Sequence, residues 1–397
     1  MKALQEFRQQ RIRTAMEQQG VDVLIASLPE HILYLTGFTA LGATYHAKTQ
    51  AYGVYIPARD SIILVNSMVD APTAIEALPH AELHCFGAFR FAVDPHSKTA
   101  EILNQKTQRI YNSAGDALAD AIRKAGHGPL KIALDELRTP IQIWERLRTE
   151  FPQHQIVPAL SLLEQVRQIK HPEEIALLEQ AAHMAEESLL AMLEQVKIGT
   201  SEWEMDRIYR AQVAKRGGNG YFITATADRR SSYSDTCSTP EQKVQDGSIL
   251  RFDFGASHRF FCSDLARTAI VGKRNQKIES LYSYILDGVL EMERLIQPGV
   301  AVCELYRAAV SAVQKGIPDY YRHHVGHGIG MLINDNPTIT ASNRTLLEEG
   351  MVLCIETPYY LYDTFGIQIE YMVEVTSHGS RRLTKHDTEL IYIPARA

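Results

Sequence analysis

No C-x-x-C pair occurs in the chain; its five cysteines, Cys85, Cys237, Cys262, Cys303 and Cys354, stand singly in mostly apolar surroundings. Such spacing argues against a disulfide framework and for reduced core thiols. A basic excess is also missing: 41 Lys and Arg face 47 Asp and Glu, a net charge of −6. No cationic face is left to advertise nucleic acid or an anionic membrane, and neither is expected as a partner. No apolar run approaches the ~20 residues of a membrane span. The opening stretch MKALQEFRQQRIRTAMEQQG has helical amphipathicity without the apolar core of a signal peptide. The expectation is a soluble, cytoplasmic protein. Its 397 residues exceed one ordinary core and suit two or three domains.

The first part alternates strand and helix signals. VDVLIAS (21–27), AYGVYIP (51–57), SIILV (61–65) and KIALD (131–135) read as buried strands, while 99–126 and 141–151 read as helical. That predicts a small α/β domain over residues 1–160. Beyond it the texture becomes dense helix. Pro172 followed by Glu173 and Glu174 marks a helix start, because proline suits the first turn and acids suit the positive end of the helix dipole. A second domain is assigned to 161–397.

The second domain repeats itself weakly. VKIGTSEWEMDRIY (196–209) resembles IQPGVAVCELYRAA (296–309), with Gly199 matching Gly299 and Glu204 matching Glu304. Downstream, QDGSILRFDFG (245–255) resembles EEGMVLCIETP (348–358), and each places an acid, Asp253 or Glu356, at the same distance from a turn glycine. Two related halves, each a helix followed by a hairpin, imply a pseudo-two-fold axis.

Those acids lie where apolar residues belong. With its turn centred on His258–Arg259, the hairpin LRFDFGASHRFFCSDLART would set Asp253 opposite Asp264, an unfavourable pairing of like charges. Solvated edge strands would explain one such pair. A second pair, Glu356 and Glu370 in VLCIETPYYLYDTFGIQIEYMVEVT, argues against that explanation. Four acids in one pocket require a counter-charge, few bases lie in these strands, and two divalent cations such as Mn²⁺, Co²⁺, Fe²⁺ or Zn²⁺ would balance them. YYRHHVGHGIGM offers a nitrogen ligand, favoured at His327, among Gly326, Gly328 and Gly330, which permit close backbone approach.

The order Asp253, Asp264, His327, Glu356, Glu370, set in DFG, SDLART, HHVGHGIG, GMVLCIETP and GIQIEYMVEVT, resembles the pita-bread metallohydrolases of peptidase family M24. GVDVLIASLPEHILYLTGF and EQVRQIKHPEEI resemble the two-domain creatinase, prolidase and aminopeptidase P branch. DFG also occurs in protein kinases, but no kinase glycine loop or H-R-D motif accompanies it. The resemblance implies a small N-terminal α/β domain, a pita-bread α+β catalytic domain and two metal ions. In it Asp264 and Glu370 bridge the metals, Asp253 binds one, and His327 and Glu356 bind the other. It implies hydrolysis of an amide or peptide C–N bond in a small substrate or dipeptide, Xaa-Pro dipeptidase-like, with Glu356 moving a proton and His323 contacting the substrate or the developing oxyanion. Metal-independent creatinase-like chemistry sits badly with five retained ligands, as does an inactive binding module. A metal-dependent amidohydrolase or lyase stays open.

Three positions depart from the family pattern: no histidine stands at or next to Thr236, where the pattern carries one, Asn334 stands where it carries another, and Gln368 where it carries arginine two residues before the last ligand. These departures bear on substrate. In the same loop Arg229, Arg230, Tyr233 and Asp235 offer replacements, the arginine pair reading as a carboxylate clamp, with a solvated loop as the alternative. GATYHAKTQ (42–50) matches a region where family dimers lend residues to a partner's pocket, which implies a homodimer and a role for His46 and Lys48.

Overall fold

The computed structural model describes residues 2–46, 49–94, 96–126 and 128–396. They form two compact units, 1–166 and 167–397. Lys48 lies outside the described residues.

The first unit is built on seven strands: β1 (Val23–Ala26), β2 (Tyr52–Ile56), β3 (Ser61–Ser67), β4 (Glu82–Phe86), β5 (Ile110–Tyr111), β6 (Lys131–Leu134) and β7 (Gln155–Pro158). Their order is β5-β4-β3-β2-β1-β6-β7. β2 runs antiparallel to both neighbours and the other pairs are parallel. Apolar runs make β1 and β2 buried throughout, as strands covered on both faces require. The helices Ala114–Arg123 and Ile141–Glu150 pack Leu118, Ile122, Trp144 and Leu147 into the same core as Val23, Val54 and Ile132. The predicted helical stretch 99–126 is in fact two helices, Lys98–Lys106 and Ala114–Arg123, separated by β5. Ser113 ends the break by capping the second helix, its hydroxyl accepting from Asp116 N.

In the second unit the helix Pro172–Leu193 starts where the sequence places it, with His171 as the N-cap and Glu174 reaching back to the His171 N–H. Twelve strands follow: β8 (Asn219–Ala227), β9 (Ile249–His258), β10 (Phe261–Cys262), β11 (Leu265–Val271), β12 (Gly326–Gly328), β13 (Asp335–Thr338), β14 (Val352–Glu356), β15 (Tyr359–Leu361), β16 (Phe365–Ile367), β17 (Glu370–Thr376), β18 (Gly379–Arg382) and β19 (Ile391–Ile393). β15 and β16 pair with each other; the other ten make one curved sheet through β10-β9-β11-β17-β14-β12-β13, with β8 on β9, β18 on β17 and β19 on β11.

The repeat is present in the backbone. Gly199 and Gly299 have φ of 91° and 88°, and Gly247 and Gly350 have φ of 88° and 85°. A left-handed turn of this kind suits glycine, which has no Cβ to clash. Gly199 N donates to Val244 O and Gly299 N to Leu347 O, both at 2.8 Å. Each turn leads into a helix, Glu202–Lys215 or Val302–Gln314, and then to an acid-bearing strand, β9 or β14.

The hairpin register differs from the expectation. His258 pairs with Phe261, so the two-residue turn is Arg259–Phe260, both at positive φ as a type I′ turn requires. Asp253 is therefore opposite Ala266. Asp264 lies diagonal to Asp253 on the same face of the sheet, instead of directly across from it.

Candidate metal centre

Adjacent strands deliver all five expected ligands to one face of the sheet. β9 carries Asp253, and Asp264 immediately precedes β11. β12 carries His327, β14 ends at Glu356 and β17 begins at Glu370. Glu356 and Glu370 are directly opposed, and Ala266 pairs with Glu370 on its other side. His327 Nε2 is 3.5 Å from Asp264 Oδ2 and 3.8 Å from Glu370 Oε1. Its Nδ1 is 3.0 Å from Gly328 O, so Nδ1–H donates there and Nε2 is the nitrogen turned toward the acids. Asp264, His327, Glu356 and Glu370 are all buried.

The strand glycines allow this crowding. Gly326 has φ of 140°, and a Cβ on it would lie 2.2 Å from Cys354 O. A Cβ on Gly328 would lie 2.3 Å from Asn336 O.

Burial and mutual repulsion of the acids outweigh the nearby cations Arg251, Arg322 and His327. Burial, then the charge of Asp264, pushes the Asp253 carboxyl up. Burial and the Asp264, Glu356 and Asp253 charges push Glu370 well above the carboxylate range. Glu356 is raised too, first by burial, against the opposing pull of Arg322 and His327. Burial would lower His327, but its contact with Asp264 outweighs this and raises it to about 9. Asp264 Oδ1 and Glu370 Oε1 are buried without a hydrogen-bond partner. Unsatisfied buried carboxylate oxygens beside the His327 Nε2 fit a divalent cation of oxygen and nitrogen preference. Asp264, His327, Glu370 and Cys354 offer ligand atoms all within 4.8 Å of one another.

Around this cluster the expected residues take differing places. His323 is exposed, its ring edge-on to His324 at 4.2 Å between centroids. The neighbour that reaches Glu356 is His324, with Nδ1 3.2 Å from Oε1. Sequence reasoning passed over His324, although it stood in the same histidine run. Arg229 is exposed and pairs with Asp363 at 2.8 Å and with the Tyr233 hydroxyl. Arg230 is committed elsewhere: its Nε donates to fully buried Glu202 at 2.9 Å, and its Nη2 to Thr236 Oγ1 and Cys237 O. Asn334 is exposed, whereas Gln368 lies inside the cluster with Nε2 3.1 Å from Asp253 Oδ2. In the first unit His46 is exposed after the short helix Leu41–Tyr45, and its carbonyl accepts from Arg138. Arg251, which the sequence pattern did not single out, is fully buried beside Asp253.

Comparison with known proteins places these features. Residues 176–377 match the family model for metallopeptidase family M24, and residues 8–169 match the creatinase/prolidase N-terminal domain. The uncharacterized peptidase YqhT of Bacillus subtilis is 31% identical over 246 residues, covering 60% of this chain and 68% of that protein. The Xaa-Pro dipeptidase of Pyrococcus furiosus is 30% identical over 232 residues, covering 58% of this chain and 67% of that protein. The solved Xaa-Pro dipeptidase from Bacillus anthracis superposes with a TM-score of 0.82 at 23% identity, covering 98% of this chain and 99% of that one. The matched model spans the acid-bearing strands, the histidine strand and both helical repeats, and the chain belongs to metallopeptidase family M24, with the creatinase/prolidase type of N-terminal domain.

Proposed function

We propose that the protein is a dinuclear metal-dependent hydrolase of an amide or peptide C–N bond in a small substrate, Xaa-Pro dipeptidase-like in its chemistry. The observation that carries this is the convergence of Asp253, Asp264, His327, Glu356 and Glu370 on one sheet face, with two buried carboxylate oxygens lacking a hydrogen-bond partner. In this reading Asp264 and Glu370 would serve both of two divalent ions, Asp253 would hold one, and His327 and Glu356 would hold the other. The ions are drawn from Mn²⁺, Co²⁺, Fe²⁺ and Zn²⁺, with Mn²⁺ the first to test. Bound there, they polarise a carbonyl and make water acidic enough to act as nucleophile near neutral pH.

The chain's own residues supply the rest. Glu356, raised by burial, is placed to take a proton from water and pass it to the leaving nitrogen. His324 Nδ1 lies 3.2 Å from Glu356 Oε1 and accepts from Gly326 N, and burial lowers its pKa to about 4. His323, exposed beside it, would contact the substrate or the developing oxyanion. Arg229, exposed, and Tyr233, half-buried, are offered to a substrate acid group from the 228–236 loop; Arg230 supports them by anchoring the loop on Glu202.

Thr236, Asn334 and Gln368 support a substrate preference shifted away from Xaa-Pro dipeptides toward another small amide with an acid group. Among the described residues no helix is long and apolar enough to cross a membrane. We take the protein to act in the cytoplasm as a homodimer, with the 42–50 segment, including His46 and Lys48, completing a partner's pocket. The test is kcat/KM for Gly-Pro and Ala-Pro against a panel of N-acyl amino acids, using Mn²⁺-loaded protein. Turnover of the panel above the dipeptides is the expected result. Efficient cleavage of the dipeptides alone would show that the three departures do not redirect specificity, and no hydrolysis of either would defeat the reading.

A further inference from the structure

The acids of the metal centre share one neutral partner. Gln368, 2% exposed, places Nε2 3.1 Å from Asp253 Oδ2, 3.3 Å from Glu356 Oε2 and 3.4 Å from Glu370 Oε2. Its oxygen faces the other way and accepts from Arg251 Nη1 at 2.8 Å and from the Tyr360 hydroxyl at 3.2 Å. An amide turned over would present its oxygen to three acceptors and its NH₂ to two donors. Arg251 and Tyr360 thus decide which end of Gln368 the carboxylates meet.

Arg251 is fully buried on β9, two residues before Asp253 and so on the same face. Its closest ionic contact among the described residues is Asp253 Oδ2 at 3.6 Å, beyond hydrogen-bond length. Its other donors go to backbone carbonyls: Nε to Ser231 O at 2.8 Å, and Nη2 to Tyr233 O at 2.6 Å and Ser234 O at 2.8 Å. The Tyr360 ring lies 5.2 Å from the guanidinium carbon. Burying a cation without a tight acid partner is costly. Here it stands as a fixed charge behind the acid cluster, joined to the loop that carries Arg229 and Tyr233.

We propose that Arg251 is a positioning residue of the metal centre: through Gln368 it orients Asp253, Glu356 and Glu370, and through the 231–234 carbonyls it fixes the substrate loop to the same point. This rests on the metal-dependent reading above.

The experiment exchanges the two side chains. Co²⁺ affinity by chelator competition, and the visible spectrum of the Co²⁺-loaded protein, are measured for the parent, Arg251→Gln, Gln368→Arg and the double variant. Arg251→Gln removes the cation, and Gln368→Arg sets two guanidinium groups side by side. Each should weaken Co²⁺ binding by about 10–100-fold and alter the spectrum, the range expected for losing a group that orients a ligand. The double variant restores one amide and one guanidinium in exchanged seats and should regain part of the affinity. Singles that match the parent, or a double variant whose loss is the sum of the two, would overturn the positioning role. Should a single fail to fold, Arg251→Lys keeps the charge without the fork, while Tyr360→Phe removes only the second donor to the same oxygen. Arg251→Lys should weaken Co²⁺ more than Tyr360→Phe; equal effects overturn the role. A parent that binds no Co²⁺ overturns the metal-dependent reading and the positioning role with it. A parent that binds while the exchange has no effect overturns the positioning role alone.

Discussion

Glu356 and Glu370 are direct partners across the β14–β17 ladder, both buried, with no basic side chain between them in the register. Like charges in that position oppose folding unless a cation lies between them. Glu370→Gln should therefore have opposite effects with and without metal. In chelated protein the variant should be more stable than the parent by about 1 kcal/mol or more, the worth of one pKa unit. With divalent metal added, the parent should gain melting temperature and the variant should not. Thermal unfolding of both proteins in chelator and in Mn²⁺ checks this.

Gly326 brings the His327 strand within reach of β14. Because a Cβ there would overlap Cys354 O, Gly326→Ala should cost about 1–3 kcal/mol, the usual scale of overpacking. Displacement of His327 should also lower metal affinity. Denaturant unfolding and metal titration of the variant measure the two effects separately.

The convergence of the four acids was legible in the sequence because they interrupt apolar strands, and that pattern survives any error of register. The register itself was not: centring the hairpin on His258–Arg259 put Asp253 opposite Asp264, and only the positive φ of Arg259 and Phe260 fixes the turn one residue later. β5 was hidden because two residues, Ile110–Tyr111, carry no periodicity of their own. Arg251 and His324 could not be found by spacing. Their roles depend on which side chain reaches across the sheet to Gln368 or Glu356, and that is set by tertiary packing. Arg229 and Arg230 look interchangeable in sequence, yet one faces solvent and the other is committed to Glu202.

Those two arginines should separate on mutation. Arg230→Ala leaves fully buried Glu202 without its cation and should cost about 3–5 kcal/mol, the scale of a broken buried pair. Arg229→Ala should leave the melting temperature unchanged and raise KM for substrates bearing an acid group. Melting curves and Michaelis parameters for both variants decide it; an Arg229→Ala enzyme with unaltered KM would remove that residue from the pocket.

Asp135 governs the acid stability of the first unit. Its Oδ2 accepts from Ser27 N, Leu28 N and His31 Nδ1 at 2.8–2.9 Å. Burial raises its pKa, but the His31 contact and the backbone donors outweigh burial and hold it at about 2. A depressed folded pKa stabilises above the unfolded value and is lost as pH falls through the folded one. The stability gap between the parent and Asp135→Asn should thus be steady above pH ~4 and shrink toward pH ~2. Urea unfolding of both proteins across that range measures it; a gap independent of pH would deny the carboxylate this role.

The most direct test is the metal content of the protein. After purification without chelator and reloading with Mn²⁺ or Co²⁺, elemental analysis should find two divalent ions per chain. Chelation should abolish hydrolysis and lower the melting temperature, because a ligand bound only by the folded state stabilises it. A folded protein that takes up no divalent metal, or that hydrolyses its substrate equally well in chelator, would contradict the account.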